Sequence, residues 1–270
     1  MEAWLQQGYG VRFDWGPEGA RRLAPGSAYA VVVDVLSFTT SVSVLVDAGT
    51  RVHPRAWHEA PPASDGGIPV ATGRRSTTPE RPWSLSPAAL RRAPRTPDLI
   101  LPSPNGSAIA AAIQDHCGLV AGSLRNAAAV GRWLRAAGVG TPERPLTVIA
   151  AGERWPDGSL RPAMEDLLGA GAVIAALRTG SPSPRGTADL AARATADLTT
   201  LSPEADLAAR AYRATADPRQ AIMDSASGRE LAAIGFADDV AVAVEIGASD
   251  TVPILRDGAF SAAGPGSGAG

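Results

Sequence analysis

The sequence predicts a layered α/β/α fold around a mixed or mostly parallel sheet. Three observations carry this. The runs at 29–33, 98–101 and 146–150 are mostly apolar and do not alternate with polar positions, the pattern of strands covered on both faces. A strand, a polar turn and a helix-like stretch follow one another at least three times along the chain. The chain has 270 residues, 45% hydrophobic and 19% charged, which suits residues 1–260 as one compact α/β domain. Two similar α/β halves packed around a central cleft satisfy the same pattern.

Residues 11–15 alternate as a strand does, and Gly16-Pro17-Glu18-Gly19 opens a short helix with proline in its first turn. The strand at 29–33 ends at Asp34. Ser37-Phe38-Thr39-Thr40 then starts a helix that runs through Val46 to a turn at Gly49. Residues 51–57 read as the next strand, completing a β-α-β unit whose polar strand end faces the ligand side of most α/β sheets. Residues 59–97 are rich in Pro, Ser, Arg and Gly, with one short strand expected at 68–72; so long a connection inside a compact domain is usually functional or mobile.

The strand at 98–101 runs into Pro102-Ser103-Pro104-Asn105-Gly106-Ser107 and a helix to about Asp115. A short strand at 118–121 precedes a helix at 126–136, and the strand at 146–150 ends in Ala151-Gly152-Glu153-Arg154. The helix at 164–177 carries Gly169 and Gly171, which suggest close packing against another backbone. Beyond a linker at 180–187, helices are expected at 188–199, 203–215 and 217–234, and strands at 240–244 and 251–255. Residues 261–270 have almost nothing to bury and are expected to form a disordered tail.

Every one of the 25 basic residues is arginine. The absence of lysine excludes a Schiff-base lysine and a Walker-type P-loop, so a bound anion must be met by arginine forks, backbone N–H groups, histidine or a metal. A net charge of −2 gives no broad attraction to nucleic acid or to an anionic membrane. No apolar run approaches the roughly 18 residues that span a bilayer, and the first residues lack a signal-peptide pattern. The expectation is a cytoplasmic protein with a small anionic substrate and with neither nucleic acid nor membrane as partner; a homo-oligomer is compatible with it. The single cysteine, Cys117, forms no internal disulfide and reads as a small buried residue. His53, His58 and His116 lack metal-ligand spacing.

Asp34 is the leading candidate for chemistry. A carboxylate after Val31-Val32-Val33 is expensive to bury unpaired, so it either caps the following helix or works in a cleft beside Thr39 and Thr40. The haloacid-dehalogenase signature fails here, since it needs a second Asp where this chain has Leu36, and a lysine. Glu165 and Asp166 sit in the first turn of a helix, where the dipole favours them structurally and where either can also face a cleft. Together with Asp34 they match what a hard cation such as Mg²⁺ takes from a protein. Asn105, Gly106 and Ser107 form a turn able to approach an anion, or simply to cap a helix. Ser227 and Arg229 are further anion candidates.

In order, these stretches resemble one family, the Mg²⁺-dependent 2-phosphosulfolactate phosphatases. The matching motifs are Val31-Val32-Val33-Asp34-Val35-Leu36 with Thr39-Thr40, Pro104-Asn105-Gly106-Ser107-Ala108, Gly122-Ser123-Leu124-Arg125-Asn126 and Ala151-Gly152. Glu165-Asp166 with Ala170-Gly171-Ala172, Ser227-Gly228-Arg229-Glu230-Leu231 and Gly235-Phe236-Ala237-Asp238-Asp239-Val240 continue the series. The resemblance implies an α/β enzyme that hydrolyses the phosphate ester of a small sulfonated hydroxy acid in coenzyme M synthesis. Asp34, Glu165 and Asp166 would then be the catalytic and metal-binding carboxylates, with Thr39, Thr40, Asn105, Gly106, Ser107, Arg125 and Arg229 around the substrate. The chain departs from the family's pattern at Ser37, where an arginine is usual, and at Arg74, where a glutamate is common. Arg74, Arg75 or Arg125 can supply the missing guanidinium. The alternative is a non-catalytic α/β protein that binds an anionic or phosphorylated metabolite.

Overall fold

The computed structural model describes residues 2–57, 63–178 and 201–264. In chain order the strands are β1 (Val11–Trp15), β2 (Tyr29–Val33), β3 (Arg51–Ala56), β4 (Ser64–Asp65), β5 (Ile68–Pro69) and β6 (Asp98–Ser103). They continue with β7 (Gly118–Gly122), β8 (Leu146–Ala150), β9 (Glu153–Arg154), β10 (Leu160–Arg161), β11 (Pro253–Arg256) and β12 (Ala259–Ala262). The helices are α1 (Gly16–Leu23), α2 (Phe38–Asp47), α3 (Pro87–Leu90), α4 (Gly106–Ile113) and α5 (Ala127–Ala136). After them come α6 (Met164–Arg178), α7 (Pro203–Ala214), α8 (Pro218–Met223), α9 (Ala226–Ala233) and α10 (Ala237–Ala243).

Eight strands make the central sheet, in the order β1-β8-β2-β7-β11-β12-β3-β6. β1, β8, β2 and β7 are parallel neighbours, as are β3 and β6. The antiparallel β11–β12 hairpin joins the two parallel blocks through one residue pair on each side, Ile254 with Val120 and Phe260 with Val52.

β2 shows why the run at 29–33 is continuously apolar. Val31 and Val33 pack with Val130, Leu134 and Val173 on one face, while Ala30 and Val32 pack with Phe38, Leu99 and Phe260 on the other. Each valine so covered contributes roughly 1.5–3 kcal/mol. The layering follows from having a core on each face of the sheet. Gly171 lets α6 and α7 touch, since a Cβ there would fall on the carbonyl of Ala208. Gly169 serves a different contact from the one expected, lying against the side chains of Val33 and Val35 rather than against a backbone.

Several expectations are corrected. Residues 240–244 are not a strand: Ala237–Ala243 is helical, with Val240, Val242 and Ala243 buried, so packing overrides the β-branched composition. The helix expected at 217–234 is two helices, because the Ser225 hydroxyl accepts from the Gly228 N–H at 3.1 Å and starts α9 anew. Ser261 and Ala262, expected in a disordered tail, pair in β12, and residues 265–270 lie outside the described residues. The α3 turn and the β9–β10 hairpin were not expected. The helix predicted at 188–199 and His58 lie outside the described residues. No described helix is long and apolar enough to cross a membrane.

Candidate active site

Asp34 follows the last residue of β2 and is 5% exposed. Its Oδ1 accepts the Phe38 N–H at 3.0 Å and its Oδ2 the Gly106 N–H at 2.8 Å. One carboxylate thus caps the first residues of both α2 and α4, where orphan N–H groups and the positive end of each helix dipole meet. The capping reading of Asp34 is therefore correct as far as it goes, and the second helix is what the local sequence could not announce. Gly106 makes this approach possible: a Cβ there would lie 2.5 Å from the Phe38 ring and 2.7 Å from Asp34 Oδ2.

Asp166, 3% exposed, does the same between two other loops. Its Oδ1 accepts from the Val35 N–H at 2.7 Å and its Oδ2 from the Gly152 N–H at 2.8 Å. Asn105, beside Gly106, donates from Nδ2 to Glu153 Oε2 at 3.0 Å. The contacts close a ring: Asp34 to Gly106, Asn105 to Glu153, Gly152 to Asp166, and Asp166 back to Val35. The loops after β2, β6 and β8 and the start of α6 are held together by carboxylates and backbone N–H groups.

Glu165 belongs to the same region and differs from the other three carboxylates. It is 1% exposed, and neither carboxylate oxygen has a hydrogen-bond partner among the described residues. Its charge is felt at Asp34, Asp166 and Glu153. Burial raises the Asp34 carboxyl above its ordinary value, against the Phe38 and Gly106 N–H groups and the charge of Arg74. Burial, then the charges of Asp34 and Glu165, raise Asp166 further. Glu153 is pushed up to about 7 by burial and by Asp34, with the Asn105 hydrogen bond opposing.

The remaining expected residues divide. The Thr39 hydroxyl donates to the Asp34 carbonyl at 2.8 Å, that of Thr40 to the Val35 carbonyl at 2.8 Å and that of Ser107 to the Leu101 carbonyl at 2.8 Å. All three are buried and occupied in holding the loops. Arg125 stands apart: it is tied to Ser43 and Asp47 in the later half of α2 and to Glu245, and makes no contact with the carboxylate ring among the described residues. Arg229 is exposed on α9 with no side-chain partner among the described residues, and nothing ties it to the cluster. Glu153 was legible only as the end of a strand, the signal that singled out Asp34. Arg161 was not foreseen; it grips Glu230 through both Nη atoms at 3.0 and 2.7 Å, and its charge reaches Glu153 and Glu165. Cys117 has its thiol pushed up to about 11 by burial, which leaves it protonated and inert at neutral pH. His53 pairs with Asp98 at 2.7 Å, away from the ring.

Among the described residues no three His, Cys, Asp or Glu side chains form a ready cation cage. Asp34 and Asp166 have their oxygens turned to backbone N–H groups. Each of those oxygens retains a lone pair and both Glu165 oxygens are unengaged, which is the oxygen-donor chemistry that a hard divalent cation takes.

The fold and this ring place the protein among α/β proteins that gather polar groups beyond the carboxyl ends of parallel strands. The family model for 2-phosphosulpholactate phosphatase matches residues 18–258, nearly the whole chain. The chain belongs to that phosphatase family, whose substrates are small anions. No match is found among curated individual proteins.

An unpartnered buried carboxylate destabilises the fold that contains it. Glu165→Gln is therefore expected to raise the urea midpoint of the metal-free protein in chelator at neutral pH, corresponding to an unfolding free energy larger by on the order of 1 kcal/mol. A lowered midpoint with an unchanged slope would mean that Glu165 is already paired.

Proposed function

We propose that the protein is a phosphoric monoester hydrolase that converts a small phosphorylated hydroxy acid, 2-phosphosulfolactate or a related acid, to the hydroxy acid and phosphate, with Mg²⁺ as cofactor. The observation that carries this reading is Glu165, buried with both oxygens unengaged and close enough for its charge to act on Asp34, Glu153 and Asp166, in a member of a phosphatase family. Such a group is the natural first ligand for a cation, and Asp34 and Asp166 would complete the protein's share. The bound cation supplies charge neutralisation for the phosphate and acidifies water.

The chain's own residues have distinct tasks in this reading. Asp34 keeps both oxygens against backbone N–H groups, so it fixes the loops and holds negative charge; attack on phosphorus falls to water. Asp166 sets the spacing between the loops after β2 and β8. Glu153 carries its proton up to about pH 7 and gives it to the leaving oxygen of the hydroxy acid. Asn105 aims Glu153 through the 3.0 Å hydrogen bond. The same reading puts the reaction in coenzyme M synthesis and the protein in the cytoplasm.

Phosphate release from a panel of phosphorylated hydroxy acids, with and without Mg²⁺, is the direct assay. Activity is expected only with the cation, and Asp34→Asn is expected to lower kcat by at least about 100-fold; full activity in that variant would refute the site. Binding across the panel without turnover would favour an anion-binding protein instead.

The pH dependence has a definite sign. Glu153 is raised, so its proton is present below about pH 7 and lost above it. As the acid, it makes kcat/KM fall about tenfold per pH unit on the alkaline side, and Glu153→Gln removes that limb. A wild-type profile that stays flat from roughly pH 6 to 9, across the expected bend, would remove Glu153 from the acid role.

A further inference from the structure

Arg74 lies in the connection between β5 and α3 and is held on two sides. Its Nε donates to Asp239 Oδ2 at 2.9 Å and its Nη2 to Ser37 Oγ at 2.5 Å. The Phe236 ring centre lies 5.9 Å from the guanidinium carbon. Asp239, on α10, is 1% exposed and is anchored independently by the Ser86 hydroxyl at 2.5 Å and the Ala88 N–H at 3.2 Å. The Ser37 hydroxyl donates to the Leu85 carbonyl at 2.9 Å, so a lone pair, not its proton, faces the arginine.

A guanidinium carries five N–H donors in a planar fork. Two are engaged here, and Nη1 has no partner among the described residues. The Arg74 side chain is 19% exposed, and its charge reaches the Asp34 carboxylate. The other arginines around the site lack this combination. Arg161 has both Nη atoms on Glu230, Arg154 donates to the carbonyls of Gly158 and Pro104, and Arg75 is exposed with one Nη on the Ile234 carbonyl.

We propose that Arg74 is the guanidinium that receives the substrate's oxyanion, and that Asp239 and Ser37 are the positioning residues that aim it. Ser37, the residue that precedes α2, is where the guanidinium arriving from residue 74 docks. The ligand group is a phosphate, sulfonate or carboxylate able to take two N–H donors side by side. The assignment rests on the phosphatase reading for its substrate, but its binding part can be tested without turnover.

The probe is inorganic phosphate, titrated calorimetrically into the full chain with Mg²⁺ present. Arg74→Gln is expected to weaken phosphate binding by about 10- to 100-fold. In Arg74→Ala, added ethylguanidinium is expected to restore binding, and the restoration is expected to vanish when Asp239→Asn is added. Where Asp239→Asn does not fold, Ser37→Ala tests the aim, and is expected to raise KM several-fold while leaving kcat within about twofold. Phosphate affinity in Arg74→Gln within about twofold of wild type, or no phosphate binding by wild type, overturns the proposal. Rescue that ignores Asp239, or a Ser37→Ala effect confined to kcat, overturns the positioning roles. Arg74-dependent phosphate binding with no ester turned over sustains this assignment and refutes the phosphatase reading.

Discussion

The site depends on one constraint: several carboxylates are buried at the ends of parallel strands, and there is not enough positive charge inside to neutralise them. Backbone N–H groups meet part of the need. Phe38 and Gly106 serve Asp34, and Val35 and Gly152 serve Asp166. These four hydrogen bonds also lock three loops to each other, so the electrostatic solution and the arrangement of the loops are the same set of contacts. Glu165 is left outside that solution, with both oxygens buried and unengaged. Burying a carboxylate without a partner is costly to the fold.

The arginines are arranged to preserve this imbalance. Arg74 has Asp239 and Arg161 has Glu230 as carboxylate partners. Each guanidinium stands near the ring without collapsing onto it, because its nearest carboxylate belongs to the helices α9 and α10. Those helices thus serve the site indirectly, by fixing the cations around it. In a chain without lysine, every such task falls to a planar fork that can hold a partner on one side and offer donors on another.

The fold was legible where local pattern decides it. The continuous run at 29–33 announced a strand covered on both faces, and Asp34 and Glu165-Asp166 stood out as charge beside apolar runs. The pattern misled where packing overrode it, as in the helix Ala237–Ala243, whose alternation of Ala and Val resembled a strand. Site partners were hidden for another reason. Arg74 and Asp239 are 165 positions apart, and Val35 and Asp166 are 131 apart, so no local spacing connects them. Hydroxyls at Thr39, Thr40 and Ser107 read as substrate donors, yet each closes its own loop through a carbonyl within six residues. A hydroxyl near a strand end is suited to both tasks, and only the fold chooses between them.

That Glu165 is held buried and unengaged for a divalent cation is tested most directly by crystals grown with Mn²⁺ in place of Mg²⁺ and measured at the manganese edge. An anomalous peak is expected within about 2.0–2.3 Å of a Glu165 carboxylate oxygen, with Asp34 or Asp166 in the same shell. A peak elsewhere, with Glu165 hydrogen-bonded to protein groups alone, would contradict it.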